Sequence, residues 1–395
     1  MPTTQATGRA TFLELFFDLI FAYALSRISA RAFEDLAPET GGGEGWSAVT
    51  GGGKLLLLLF ALWGVWQGIA WTTSRYDPHH GWLQLIVITA LVSSMVMGVA
   101  ISRAFRETGL AFAVAYVVAQ LSRPVILLLA LGPHPHRRLE IRMAIVFSAT
   151  GVLWIIGALL PTNPRIVLWT SALTAEYLAN RFGWPVPGLG RSTIAHSEIA
   201  AEHLAERYQQ FFLVALGETI IVAGLAYNTG PYWLGQTIAF ALALATSILL
   251  WRLYVQRAGQ ILGEAVAKAR HPATIGRSAA DTHLVMVVGL TTTAIGYDLT
   301  IRHPLSHPET SWIAVVIGGP VLFLAGRARF EYEVFSRVSP PRWIAALVLL
   351  APVPVLVHYP PLISAAVVVA VLTAVAVADA RRAWGRPPEP ATPPY

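Results

Sequence analysis

The chain has 395 residues, of which 55% are hydrophobic and only 13% charged, and its mean hydropathy is +0.57. Soluble domains carry about a quarter of charged residues, so this composition excludes them and predicts an all-α, polytopic membrane protein. The absence of cysteine excludes disulfides, iron–sulfur clusters and thiolate metal sites, and no motif indicates haem or flavin. The net charge of +6 falls in short loops between apolar stretches, and therefore does not indicate a nucleic-acid partner.

Twelve apolar stretches come close to the length of about 20 residues that crosses a bilayer. They lie at 12–33, 55–74, 81–102, 109–131, 142–160, 164–182, 204–228, 232–256, 281–300, 312–330, 343–358 and 362–378. The last two are short and are joined by Tyr359, Pro360 and Pro361, so a single re-entrant hairpin is an alternative for them. We therefore expect a helical bundle of about 12 spans.

The basic residues predict the orientation of these spans. Of the 28 Lys and Arg residues, nineteen fall in one alternating set of connections, six fall in the other set, and Arg27, Arg123 and Arg207 fall within spans. Cytoplasmic loops carry the excess of positive charge in membrane proteins. We therefore expect both termini to lie in the cytoplasm.

The spans divide the chain into four parts. We expect a cytoplasmic N-terminus at 1–11, a first transmembrane half at 12–182, a second half at 183–378 and a cytoplasmic tail at 379–395. The second half includes 258–280, whose mixed composition indicates an amphipathic helix on the cytoplasmic face. The proline-rich tail is expected to be disordered, and the glycine-rich segment 34–54 to be a flexible external loop.

The two halves share a weak internal repeat. Glu14 and Glu206 each precede a Phe-Phe pair, and a Leu-Trp pair follows each of them after a similar interval, ending at Trp63 and Trp251. A six-plus-six arrangement of parallel repeats would explain this pattern. Chance similarity between apolar, aromatic helices explains it equally well.

The first apolar stretch contains two acids, Glu14 and Asp18. Residues four apart share one face of a helix, and carboxylates in a membrane point into the bundle or into a wet cavity. Glu202 and Glu206 have the same spacing at the start of the seventh span. The predicted topology places both pairs on the cytoplasmic side, so they are candidate metal or acid groups. Arg27 and Arg123 are the expected counter-ions of Glu14, Asp18 and the mid-span acid Glu218.

Other polar residues have both a functional and a structural explanation. Glu206 and Arg207 could simply be an acid favoured by the helix dipole and an arginine that reaches the headgroups. His283 opens the ninth span and is either a ligand or a structural hydrogen-bonding group. Glu218 lies in the middle of a span, with no cation three or four residues away, which favours a functional or network role.

Three motifs resemble the bacterial low-temperature-requirement A family. They are FLELFFDL at 12–19, EHLAER at 202–207 followed by ALGETI at 215–220, and His283 at the start of the ninth span. The resemblance covers most of the membrane region. It implies a multi-pass protein of the bacterial inner membrane, and it implies no particular reaction.

The first functional hypothesis is a membrane-embedded enzyme that acts on an isoprenoid or lipid diphosphate. Mg²⁺ takes few carboxylates and completes its shell with water and substrate phosphates, which suits Glu14, Asp18, Glu202 and Glu206. We expect Arg75 and Arg207 to bind phosphate, and aromatic rings to line the isoprenoid tail and to stabilise a carbocation. The lining candidates are Phe16, Phe17, Trp63 and Trp66. The candidate acid–base groups are Glu14, Asp18, Glu206, Glu218 and His283.

The alternative hypothesis is a proton- or cation-coupled transporter. Protonatable groups along a bundle interior form proton relays, and Asp18, Glu218 and His283 are the candidates for that role. A third hypothesis is that the polar network only fixes helix packing. The bilayer and a lipidic small molecule are the expected partners, and an oligomer is compatible with the sequence.

Overall fold

A computed structural model of the chain describes residues 9–36, 45–134, 136–192, 199–259, 261–385 and 389–394. These residues form helices and no β-sheet; Val186 and Gly190 make an isolated bridge. The helices are α1 (Phe12–Leu36), α2 (Gly45–Thr73), α3 (Gly81–Ala100), α4 (Gly109–Ala130), α5 (Arg137–Leu159), α6 (Thr162–Arg181), α7 (Ala201–Asn228), α8 (Leu234–Tyr254), α9 (Leu262–Lys268), α10 (Pro272–Arg302), α11 (Thr310–Phe335), α12 (Pro340–Leu350), α13 (Val353–Leu356) and α14 (Pro361–Ala383). The predicted all-α class is confirmed.

Nine helices within the described ranges are long and apolar enough to cross a membrane: α2, α3, α4, α5, α7, α8, α10, α11 and α14. The remaining predicted spans fall on α1, α6 and the α12–α13 pair. The first two are richer in charged residues, and α12 has only 11 residues. The count of twelve and the internal repeat therefore stay predictions. The last predicted span is a 23-residue helix, α14.

Three predicted connections differ from the structure. Gly51, Gly52 and Gly53 lie in α2, so the flexible loop predicted at 34–54 is wrong for this part; residues 37–44 lie outside the described residues. The segment 258–280 holds the short helix α9 and the start of α10 rather than one amphipathic helix. Disorder was predicted from residue 379, but α14 continues to Ala383, and the Thr392 N–H donates to the Val334 carbonyl at 2.9 Å.

The chain forms two compact units. The first contains the described residues up to Ile28 and those from Gly53 to Arg207, and the second contains Ser29–Gly52 and the residues from Tyr208 onward. In the first unit, α3, α4, α5 and α6 follow one another through short turns, and each packs against the next. Whether the predicted transmembrane halves at 12–182 and 183–378 act as domains stays a prediction.

Arg165 joins several helix ends in the first unit. Its guanidinium is buried and donates five hydrogen bonds to backbone carbonyls, at distances of 2.8–3.3 Å. The acceptors are Ala104, Arg106, Gly157, Ala158 and Leu160. The last carbonyls of a helix have no partner within the helix. Arg165 therefore satisfies carbonyls around the ends of α3 and α5 with the five donors that arginine provides.

The second unit is built around α10 and α11. Glycines lie at their contact, where a Cβ on Gly289 would approach the Phe323 nitrogen to 2.6 Å and a Cβ on Gly296 would approach the Val316 Cα to 2.8 Å. Gly319 and Gly326 occupy equivalent positions on α11. Small residues allow the backbones of membrane helices to approach closely. The helix α8 packs on α10 and α14, and α12 packs on α11 and α14.

Candidate functional site

Four buried ionisable side chains meet in the first unit. Glu14 and Asp18 lie one turn apart on α1, and His203 and Arg207 lie one turn apart on α7. Each is at most 1% exposed. Helical spacing explains the arrangement, because residues four apart share a face. Phe17 and Phe21 lie on the same buried side of α1, whereas Phe16 is 54% exposed.

Arg207 and Asp18 form a two-pronged ion pair. Arg207 Nη1 donates to Asp18 Oδ2 and Nη2 donates to Oδ1, both at 2.8 Å. Trp66 Nε1 on α2 also donates to Oδ1, at 2.8 Å. This fork geometry is the strong form of an arginine–carboxylate pair. Both oxygens of Asp18 are therefore engaged by protein donors.

Glu14 is held by the start of its own helix. The Thr11 N–H donates to Glu14 Oε2 at 2.8 Å, and the Glu14 N–H donates to Thr11 Oγ1 at 3.3 Å. This reciprocal pair is a capping box, which satisfies N–H groups that have no partner inside the helix. The capping box fixes the Glu14 carboxyl group so that Oε2 lies 3.3 Å from His203 Nε2. Glu14 Oε1 lies 3.6 Å from Arg207 Nε.

Ser74 on α2's C-terminal side contacts one ring nitrogen of His203. The Ser74 hydroxyl donates to the Ala70 carbonyl at 2.7 Å, and its oxygen lies 2.9 Å from His203 Nδ1. A hydroxyl has only one proton to donate, so a Ser74 hydroxyl that donates to Ala70 accepts from Nδ1–H of His203. His203 Nε2 then faces Glu14 Oε2, which already accepts from the Thr11 N–H and hydroxyl. A hydrogen bond between these two atoms requires a proton on Nε2 as well.

The cluster pairs two acids with an arginine and a histidine. Arg207 forms the ion pair with Asp18 and also lies 3.6 Å from Glu14 Oε1 through its Nε, and His203 Nε2 faces Glu14 Oε2 at 3.3 Å. A lone pair on Nε2 would face a carboxylate oxygen there, which is unfavourable in a low-dielectric environment. The contact between α1 and the start of α7 thus depends on hydrogen bonds to ionisable groups.

The predicted acidic pair of α7 does not join this cluster. Glu202 is exposed, and Glu206 is half-buried and accepts a hydrogen bond from the Ala10 N–H at 2.8 Å. Among the described residues, no group of three or more His, Asp or Glu side chains is arranged to hold a metal ion. Glu14, Asp18, Glu202 and Glu206 do not form such a group among the described residues, and a bound Mg²⁺ ion stays a prediction.

The arginines are also arranged differently from the prediction. Arg207, predicted to bind phosphate, is the counter-ion of Asp18. The predicted counter-ions bind elsewhere: Arg27 donates to Ser102 Oγ at 2.6 Å, and Arg123 donates to the Gly68 carbonyl at 3.0 Å. Arg75 interacts with Tyr76 and Glu140 rather than with the acids of α1.

The predicted aromatic residues divide into two groups. Phe17, Trp63 and Trp66 are buried in the first unit, and the rings of Trp63 and Trp66 lie 4.9 Å apart. The Arg207 guanidinium lies over the Trp66 ring, with the guanidinium carbon 5.9 Å from the ring centre. Phe16 faces outward from α1. Aromatic groups therefore adjoin the cluster, but Phe16 does not line it.

Glu218 and His283 belong to the second unit. Glu218 Oε1 accepts a hydrogen bond from Ser29 Oγ at 2.5 Å, and its Oε2 has no hydrogen-bond partner within the described ranges. His283 Nδ1 lies 2.6 Å from the Ala279 carbonyl, which can only accept, so Nδ1 is the donor. Nε2 meets the Tyr254 hydroxyl at 3.0 Å. His283 is therefore held on both sides by structural hydrogen bonds.

Two sequence patterns besides the spacing of the acids indicate the cluster. His203 and Arg207 have the same four-residue spacing as Glu14 and Asp18, with opposite charge. The sequence Thr11–Phe12–Leu13–Glu14 matches the Thr-x-x-Glu pattern of a capping box. The role of Ser74 has no such signal, because a serine at the end of an apolar helix is an ordinary feature.

The nine apolar helices found among the described residues, together with the buried charges, define a polytopic α-helical membrane protein. The chain belongs to the bacterial low temperature requirement A (LtrA) family, whose model matches residues 9–377. The resemblance seen in the sequence is thereby confirmed. An uncharacterized protein of Rhizobium meliloti (strain 1021) is 32% identical over 335 residues, which cover 84% of this chain and 79% of the relative. No solved structure matches the chain.

Proposed function

We propose that this protein is a proton-coupled membrane transporter that takes up and releases a proton at the Glu14–His203 pair. The observation that carries the proposal is the arrangement of His203, whose Nδ1 lies 2.9 Å from the Ser74 hydroxyl and whose Nε2 lies 3.3 Å from Glu14 Oε2. Ionisable groups inside membrane proteins commonly form proton pathways. The transporter is expected in the bacterial inner membrane with both termini in the cytoplasm.

The cluster contains the parts that coupling requires. A proton on His203 closes the contact between α1 and α7, and its loss opens that contact by leaving two acceptors face to face. A charge change at a two-state contact is how pH switches act. Arg207 and Asp18 remain paired in both states and keep the helices in register. This assigns the switch to Glu14 and His203 rather than to Asp18, Glu218 and His283.

Proton flux into proteoliposomes tests the proposal. The purified protein is reconstituted with a pH-sensitive dye inside, and an inward proton gradient is applied. We expect flux above that of protein-free liposomes, and we expect both Glu14→Gln and His203→Gln to reduce it to the protein-free level. Both variants keep a polar side chain of similar size but remove the exchangeable proton.

The exposed residue His80 provides the matched control. His80→Gln removes a histidine that does not contact the cluster, so its flux should equal that of the wild type. A wild-type protein that conducts no more protons than empty liposomes would refute a proton pathway through the Glu14–His203 pair. A His203→Gln variant that folds and conducts normally would refute the assignment of the switch.

A second candidate function is favoured by the buried aromatic residues beside the acids, Phe17, Trp63 and Trp66. Aromatic faces stabilise cations, and a proton-donating acid next to them suits an enzyme that acts on an isoprenoid diphosphate. Incubation with Mg²⁺ and prenyl diphosphates of geranyl to geranylgeranyl length tests this function. Hydrocarbon or alcohol products that are lost in Glu14→Gln would support the enzyme, and unchanged substrate would reject it.

A further inference from the structure

Glu218 is a buried acid of the second unit that the Glu14–His203 pair does not use. It lies in the middle of the apolar helix α7, and its side chain is completely buried. Ser29 Oγ on α1, which is also buried, donates to Glu218 Oε1 at 2.5 Å. Glu218 Oε2 has no hydrogen-bond partner within the described ranges. One hydroxyl is therefore the only hydrogen-bond partner that the described residues give this carboxyl group.

The described residues also supply no cation for Glu218. No arginine, lysine or histidine among them forms an ion pair with it, and the ionisable side chain whose charge acts on it is another acid, Asp298 of α10. Asp298 is itself paired, because Arg302 Nε lies 2.6 Å from its Oδ1. The two acids thus have one cation between them, and this cation is bound to Asp298.

The other helices around this part of α7 bring hydroxyl groups and apolar side chains. Thr219 of α7 contacts Ser247 of α8 at 2.8 Å, and Thr246 of α8 contacts the hydroxyl of Tyr297 on α10. The helix α14 packs here through Ala365. None of these side chains is charged at neutral pH, so none of them can offset a negative charge on the neighbouring acid.

A charged Glu218 would be costly in this environment. Burying an ionised carboxylate without a cation costs far more free energy than burying the neutral acid, and a nearby carboxylate adds repulsion between like charges. Asp18 in the first unit shows what a buried carboxylate requires, because two arginine hydrogen bonds and one tryptophan hydrogen bond hold it. Glu218 has none of these. With a proton on Glu218 and Arg302 paired with Asp298, the site is neutral.

We propose that Glu218 is a second proton-binding site of this protein, and that it is a neutral carboxylic acid at neutral pH. Loss of the proton would place an uncompensated negative charge near Asp298, so the bound proton also protects the pairing of Asp298 with Arg302. The presence of this proton does not depend on transport. Its movement during transport rests on the proposed function.

Infrared spectroscopy of the full-length protein in lipid at neutral pH tests the site. A protonated carboxylic acid has a carbonyl stretch that a carboxylate lacks. Glutamate labelled with a heavy isotope at the side-chain carboxyl carbon shifts this band only when a glutamate carries the proton. We expect a label-sensitive band in the wild type that loses intensity in Glu218→Gln. Glutamine keeps the size and neutrality of the protonated side chain, so the variant should fold and unfold like the wild type.

Glu107→Gln is the matched control, because Glu107 is exposed and paired with Arg103. The same chemical change there should leave the band at full intensity. A wild-type spectrum without a label-sensitive band, a band that Glu218→Gln leaves unchanged, or equal losses in the two variants would overturn the proposal. A Glu218→Gln protein that has lost the band but conducts protons like the wild type would confirm the proton site and exclude it from the transport path.

Discussion

Asp18 in the first unit and Gly319 in the second lie at helix contacts of opposite kinds. Asp18 joins α1 to α7 through two arginine hydrogen bonds and is 1% exposed. Gly319 joins α11 to α10 by the absence of a side chain, because its Cβ would lie 2.5 Å from the Thr293 nitrogen. The charged contact tolerates no loss of a partner, whereas the glycine contact tolerates no gain of volume.

The comparison has a functional consequence. A contact held by hydrogen bonds to ionisable groups changes when a proton is added or removed. A contact that depends on the close approach of two helix backbones contains no group that titrates, so it does not respond to a proton. This is why we assign the proton switch to the first unit and a static role to the α10–α11 contact.

Removal of the buried guanidinium should have the largest effect on stability. Arg207→Met leaves Asp18 and Glu14 without their cation, and we expect the free energy of unfolding to fall by about 3–5 kcal/mol. Unfolding in mixed detergent, followed by circular dichroism, measures it. The double variant Arg207→Met with Asp18→Leu should recover much of the loss, because no uncompensated charge remains at that pair.

The matched control is Arg103→Met, which removes an exposed arginine paired with Glu107. That pair is solvent-accessible, so its loss should cost less than about 1 kcal/mol. Equal losses of unfolding free energy in the two single variants would show that the buried pair contributes no more to stability than the exposed pair does.

An added methyl group at the glycine contact should have the next largest effect. Gly319→Ala places a Cβ against the backbone of α10, and overpacking of this kind costs about 1–3 kcal/mol. Gly318→Ala, one position earlier, meets no atom within 4 Å and should be neutral or slightly stabilising. The same unfolding assay compares them. A Gly319→Ala protein as stable as Gly318→Ala would remove the contrast between the two kinds of contact.

The smallest effect is expected at an exposed ion pair outside the spans. Lys268 Nζ lies 2.5 Å from Glu264 Oε1, and its hydrogen bond lowers the pKa of Glu264. A lowered pKa stabilises the fold above the ordinary pKa of glutamate, and this contribution is lost as the pH falls through the lowered value. Lys268→Gln should raise the pKa of Glu264, as measured by NMR titration of labelled carboxyl carbons.

The variant Lys268→Gln also measures how much an exposed ion pair contributes to stability, for comparison with the buried pair. Thermal unfolding at neutral pH should hardly change in Lys268→Gln, because exposed pairs contribute little. A large loss of stability there would mean that solvent-accessible charges in this protein act like the buried ones.

The sequence specified the helices better than their contacts. Eleven predicted spans fall on one long helix each and the twelfth falls on the α12–α13 pair, because apolar length and helical periodicity are local properties. The site was predicted in part: Glu14 and Asp18 are buried together, as expected from their spacing. The acidic spacing of Glu202 and Glu206 indicates a different face of α7 from the buried one, which carries His203 and Arg207.

The amino-acid sequence by itself determined that the chain is a polytopic helical membrane protein and that Glu14 and Asp18 face inward. Composition decides whether a segment lies in lipid or in water, and the spacing of residues along a helix decides which side chains share one side of it. Only the tertiary structure decided that Arg207 pairs with Asp18, that Ser74 contacts His203, and that Ser29 donates to Glu218. These partners are far apart in the chain, and hydrogen-bond direction depends on positions that only the folded helices define.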